Sequence, residues 1–178
     1  MNKTVFVVAV LLIAVTAWLL SVLNSTPNKE SDSIVISKSH TLKRYNFTLP
    51  DLQGKPQSFS QWNDKVVVLN FWATWCPPCR REIPDFVDVY RQYQERNLVI
   101  IGVGTDNPKK IADFVKQFNI PYPILTGERK AMQLSYQYGN HTGALPYTIV
   151  FDKKGIIRYR AGGLMSRQKL LALVKPLL

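Results

Sequence analysis

The run Lys65-Val-Val-Val-Leu-Asn-Phe-Trp72 is almost unbroken in apolar residues and rich in β-branched ones, which predicts a parallel strand covered on both faces. Directly after it, Ile83, Phe86, Val87, Tyr90 and Tyr93 recur at helical spacing, predicting a helix over about 77–95 that Pro84 should bend. A second buried strand is expected at 98–103. The next segment opens with Asn107 as N-cap and Pro108 as first helical residue, and Ile111, Phe114, Val115 and Phe118 form one apolar stripe. A short strand at 122–125, a weaker helix at about 128–138, and a strand–turn–strand at 147–151, 152–155 and 156–159 follow. Ser166 then caps a final helix carrying Leu170, Leu171 and Val174. Upstream, Phe47 to Asp51 and Ser58 to Ser60 flank Gly54-Lys55 as a short hairpin. Strands alternating with helices, closed by one late hairpin, specify an α/β fold with a mixed central sheet flanked by helices.

The N-terminal pattern differs in kind. Residues 5–23 are apolar apart from Thr16 and Ser21, about enough to cross a ~30 Å hydrocarbon layer as a helix. Lys3 and the α-amino group precede it and Asn24-Ser-Thr-Pro-Asn28 follows, an asymmetry that puts the N-terminus inside and the rest of the chain outside the cytoplasm. The expected organisation is a single-pass membrane anchor at 1–23 (transmembrane 5–23), a polar tether at 24–44 and a domain at 45–178. A cleaved signal peptide is the competing expectation. Val15-Thr16-Ala17 could serve as its cleavage site, but the apolar run continues through Trp18-Leu19-Leu20 beyond it. Either way the domain is exported, to the periplasm or an equivalent extracytoplasmic space.

Composition narrows the possibilities further. A chain of 178 residues, 46% apolar and 20% charged, holds one ordinary domain plus an attachment. The formal net charge of +11 is scattered rather than gathered into a run interleaved with aromatics. That argues against nucleic acid and for a solvated basic surface lying near acidic lipid headgroups. Two cysteines can build no disulfide scaffold, and no zinc site without outside ligands. His40 and His141 lie far apart and show no ligand pattern, so neither a metal nor any other cofactor is expected.

The two cysteines stand at the strand–helix junction as Cys76-Pro77-Pro78-Cys79. There the first sulfur meets unpaired helix N–H groups and the positive end of the helix dipole, which favour thiolate, the reactive form. A purely structural bridge would close too small a loop to stabilise much. Cys76 is therefore the expected nucleophile, with Trp75 beside it lining the substrate surface and Trp72 in the core.

The string Val-Val-Val-Leu-Asn-Phe-Trp-Ala-Thr-Trp-Cys-Pro-Pro-Cys-Arg-Arg-Glu-Ile-Pro84 resembles the TlpA/ResA-like branch of the thioredoxin superfamily, membrane-anchored thiol–disulfide oxidoreductases working outside the cytoplasm. The resemblance runs from about Tyr45 to Lys175 and implies a thioredoxin-like fold with an extra β–α insertion around 103–125. It implies that Cys76 attacks a substrate disulfide and Cys79 resolves the mixed disulfide. It also implies that Leu145-Pro146 is a cis-proline site facing the cysteines, offering backbone to an extended substrate beside Trp75 and Pro77. Glu82 matches an acidic residue thought to tune the pair, though a surface glutamate in the first helical turn fits the position equally. Asn70 departs from the buried aspartate of cytosolic thioredoxins, and an amide cannot act as general base. Such relatives are expected to be reductants of exported proteins, including apocytochrome c, fed by a transmembrane electron donor, with an oxidant of the same fold as the alternative. A peroxiredoxin-like peroxidase would require proline and threonine where Leu69 and Ala73 stand. A copper-binding module would require His141 as partner to the thiolates.

Overall fold

Val66–Trp72 (β3) is the middle strand of a five-stranded sheet in a computed structural model that describes residues 43–178. The expected anchor and nearly all of the tether lie outside the described residues. Among the described residues no helix is long and apolar enough to cross a membrane. Along β3 the side chains alternate between two cores: Val66, Val68 and Trp72 enter one, Val67, Leu69 and Phe71 the other. That double burial explains why the strand reads as a continuous apolar run rather than an alternating one.

Leu98–Gly104 (β4) lies parallel to β3, and Ile124–Thr126 (β5) lies parallel to β4 at one edge. On the other side Tyr147–Phe151 (β6) runs antiparallel to β3, and Ile157–Gly162 (β7) pairs antiparallel with β6. The sheet is thus mixed, as expected, in the order β5-β4-β3-β6-β7. Pro77–Tyr93 (α1), Pro108–Gln117 (α2) and Arg167–Val174 (α4) pack their apolar stripes on the Val68 face. Glu128–Gln137 (α3) covers the opposite face. Joining it there is the hairpin Thr48–Pro50 (β1) and Pro56–Ser58 (β2), whose turn uses Gly54 at φ +78°.

Differences from expectation are local. α1 ends at Tyr93 in a 3-10 turn, Gln94–Arg96, short of the expected 95, with Pro84 inside it as the sequence implies. β7 extends to Gly162 because Gly162 pairs with Tyr147, a cross-strand partner that local pattern does not reveal. Lys43 and Arg44, expected in the tether, already belong to the fold: Lys43 bridges Ile156, and the Arg44 N–H donates to Gly155 O at 2.9 Å.

Gly102, like Gly104 on the same strand, is held by packing. A Cβ at Gly102 on β4 would come within 2.7 Å of Ile124 Cδ1 and 2.9 Å of Trp72 Nε1. Gly102→Ala should therefore lower unfolding free energy by ~1–3 kcal/mol through overpacking, measured by denaturant titration of the oxidised protein.

Candidate active site

The dithiol sits where β3 hands over to α1. Cys76 is the N-cap (φ −86°, ψ 108°), Pro77 takes the first helical position, and the Cys76 sulfur accepts a hydrogen bond from the Cys79 N–H at 3.3 Å. A donor aimed at that atom, together with the helix dipole, favours negative charge on it once the pair is reduced. In the structure Cys76 and Cys79 are joined as a disulfide, with Cα atoms 5.3 Å apart. Both are covered: Cys76 is 2% exposed and Cys79 not at all. In the oxidised pair the Cys76 sulfur is taken up by its bond to Cys79. Trp75, 67% exposed, and Pro77, also exposed, stand in solvent beside it.

The loop carrying Trp75 is strapped to the β4–α2 connection. Thr74 Oγ1 donates to the Asp106 carboxylate, and Thr105 N donates to Trp72 O at 2.9 Å. The Leu145–Pro146 peptide is cis. Pro146 is buried and accepts from the Gly163 N–H at 2.8 Å, and half-buried Leu145 packs against both cores. Just upstream, buried Asn140 accepts from Ala144 N at 3.0 Å and donates to Ala144 O at 2.9 Å, fixing the chain that leads into Leu145.

Glu82 is not the surface glutamate that its place in the first turns of a helix allows. It is buried on the inward stripe of α1 with Cys79, Ile83 and Phe86. One carboxylate oxygen accepts from Asn70 Nδ2 at 2.8 Å, and the other from the Met165 backbone N–H at 2.9 Å. The second Asn70 proton goes to Thr148 Oγ1 at 3.0 Å. Strand parity explains the grouping: Asn70 follows Val68 on the α1 face of β3 and lies opposite Thr148 on β6. Burial pushes the Glu82 carboxyl up to about 7, against the pull of those two hydrogen bonds and with a small further push from Asp85. Thr148 and Met165 were not anticipated. Their only signal is the register of β6 on β3 and the course of a loop 83 residues from Glu82.

Other expected features resolve simply. Trp72 is core, and its indole N–H is buried without a partner among the described residues. The Arg80 guanidinium lies over the rings of Phe114 and Phe118, at 5.7 and 6.0 Å. Leu69 and Ala73 are fully buried apolar positions. His141 packs edge-on against Tyr136 at 4.7 Å, and among the described residues no three His, Cys, Asp or Glu side chains group to hold a metal.

Comparison with known proteins agrees with this geometry. The model of the AhpC/TSA family matches residues 42–160. The thiol-disulfide oxidoreductase ResA of Geobacillus thermodenitrificans is 33% identical over 135 residues, covering 74% of this chain and 75% of that protein. ResA of Halalkalibacterium halodurans is also 33% identical over 135 residues, 74% of each chain. Among solved structures, a thiol:disulfide interchange protein of the thioredoxin family from Chlorobium tepidum superposes with TM-score 0.72 at 26% identity, covering 79% of this chain and 99% of that one. A secreted thiol-disulfide isomerase from Corynebacterium glutamicum gives TM-score 0.67 at 25% identity, covering 75% and 83%.

Proposed function

This chain belongs to the AhpC/TSA family and is a thiol–disulfide oxidoreductase of the ResA-like kind, and from that premise we propose that it works outside the cytoplasm, held to the membrane by 5–23, as a reductant of protein disulfides. The observation that carries the proposal is the N-cap position of the Cys76 sulfur, with the Cys79 N–H directed at it. Reduced Cys76 attacks one sulfur of a substrate disulfide, forming a mixed disulfide and releasing the other substrate sulfur as thiolate. Cys79 then attacks the Cys76 sulfur, closing the Cys76–Cys79 bond and releasing the second substrate thiol. Two electrons pass to the substrate, and a dithiol donor must return them. An extended substrate segment would lie across Trp75 and Pro77 and pair with the backbone at Leu145, next to Pro146. Glu82 tunes the pair from beneath, its carboxyl poised to take or give a proton near neutral pH.

Export is supported by the apolar run 5–23 and by the secreted relative from Corynebacterium glutamicum. An oxidising compartment supplies no thiol buffer, so the electron donor must reach across the membrane. Apocytochrome c, an exported protein that must be reduced before haem attachment, is the proposed substrate type.

The test is trapping. Cys79→Ala should accumulate Cys76-linked mixed disulfides with its partners in cells, removable by reductant and identifiable by mass spectrometry. Recovery of the untrapped chain alone would overturn the assignment of Cys76 as nucleophile.

A further inference from the structure

At the end of the sheet opposite the dithiol, the chain gathers positive charge. β3 runs from Val66 to Trp72, with Cys76 beyond its far end. β4 begins beside Val66, and β6 finishes beside Val67. Lys65, Arg96 and the 152–155 turn therefore stand together at the other end. Lys43 and Arg44 enter the fold there through Ile156 and Gly155, and Lys153 donates to the α-carboxylate of Leu178, which offsets its charge. Lys43, Arg44, Lys153 and Lys154 line a depression of about 230 Å³ in which Asp64 is the one carboxylate. The neighbouring Asp152 is already taken by Arg158 at 2.6 Å, and Lys43 and Lys154 are exposed with no ion pair among the described residues.

We propose that this basic end docks on an anionic phospholipid surface, turning the Cys76 end of the domain toward soluble partners. Charge complementarity carries it, since each Lys or Arg within a Debye length of acidic headgroups is attracted to them. Chain connectivity adds to it. About 20 residues separate this end from the apolar run, so a bilayer holding that run lies within roughly 70 Å of covalent reach. The orientation, though not the attraction, rests on the anchored reading given above.

The full chain is mixed with vesicles of phosphatidylglycerol and phosphatidylcholine, or of phosphatidylcholine alone, and lysine acetylation rates are read by mass spectrometry. Lys109 and Lys110, at the start of α2 near the dithiol end, serve as internal references. Docking requires Lys43 and Lys154 to label at least about fivefold more slowly than those references on the anionic vesicles only, and the slowing to vanish in about 0.5 M salt. Equal rates on both vesicles, or slowing centred on Lys109 and Lys110, would overturn it. Flotation of the same chain with phosphatidylcholine vesicles at high salt reports separately on whether 5–23 anchors.

Discussion

Cys76→Ser should abolish reduction of a disulfide-bonded protein substrate, a loss on the order of 10³-fold or more, as expected when a covalent nucleophile is removed. A serine hydroxyl at the same N-cap keeps the hydrogen bond from Cys79 N but is not ionised near neutral pH, so the attacking anion is missing. Cys79→Ser should behave differently. It keeps the first step and stops at the mixed disulfide, giving a single stoichiometric release of substrate thiol and no turnover. Stopped-flow thiol release, compared between the two variants, reads the distinction. Neither should unfold the domain. Both should match the reduced parent in denaturant stability, since that protein likewise lacks the Cys76–Cys79 bridge. A Cys76→Ser variant that still released one equivalent of thiol would show that Cys79 attacks first.

The route to that site was legible in the sequence to different depths. β3 and β4 are covered on both faces, so their apolar runs survive any detail of what covers them, and the structure places them at Val66–Trp72 and Leu98–Gly104. Asn107 and Pro108 set the start of α2 because capping is local chemistry. Glu82 was harder. Two local tendencies competed: carboxylates favour a helix N-terminus in solvent, while the spacing of Cys79, Ile83 and Phe86 puts position 82 on the inward stripe. The second wins because Asn70 and Met165 N supply partners that a buried carboxylate requires. Those partners come from a strand and from a loop far along the chain, so no window around Glu82 contains them. The same reasoning recasts Asn70. In the sequence it is a missing base; in the structure its amide bridges Glu82 and Thr148. Lys43 and Arg44 read as tether in the sequence because their partners, Ile156 and Gly155, lie over a hundred residues away.

That glutamate should make stability fall as pH rises. Its carboxyl is pushed from an ordinary 4.5 up to about 7 in the folded protein, chiefly by burial. Between those values the native state holds a proton that the unfolded chain has lost, so raising pH draws the equilibrium toward unfolding. The stability tied to the proton is complete below about 4.5 and is lost as pH rises through about 7. Its full extent is ~3 kcal/mol. Among the described residues no cation compensates: Asp85 adds repulsion, and Tyr122, itself pushed up by burial and by the Glu82 charge, stays neutral. Glu82→Gln does not titrate, and because its amide nitrogen cannot accept from Asn70 Nδ2 or Met165 N it carries a penalty that is the same at every pH. With the disulfide intact, so that no thiol titrates, the difference in denaturant unfolding between the two proteins at pH 4.5 gives that constant penalty. The variant should gain steadily on the parent toward pH 8, by up to ~3 kcal/mol. Curves that run parallel over that interval would mean that Glu82 ionises as an ordinary carboxylate. The same proton would then be unavailable at neutral pH to the cysteine pair above it. Because the oxidised protein holds the sulfurs silent, the experiment isolates Glu82 and tests the element of the site for which the local sequence is least informative.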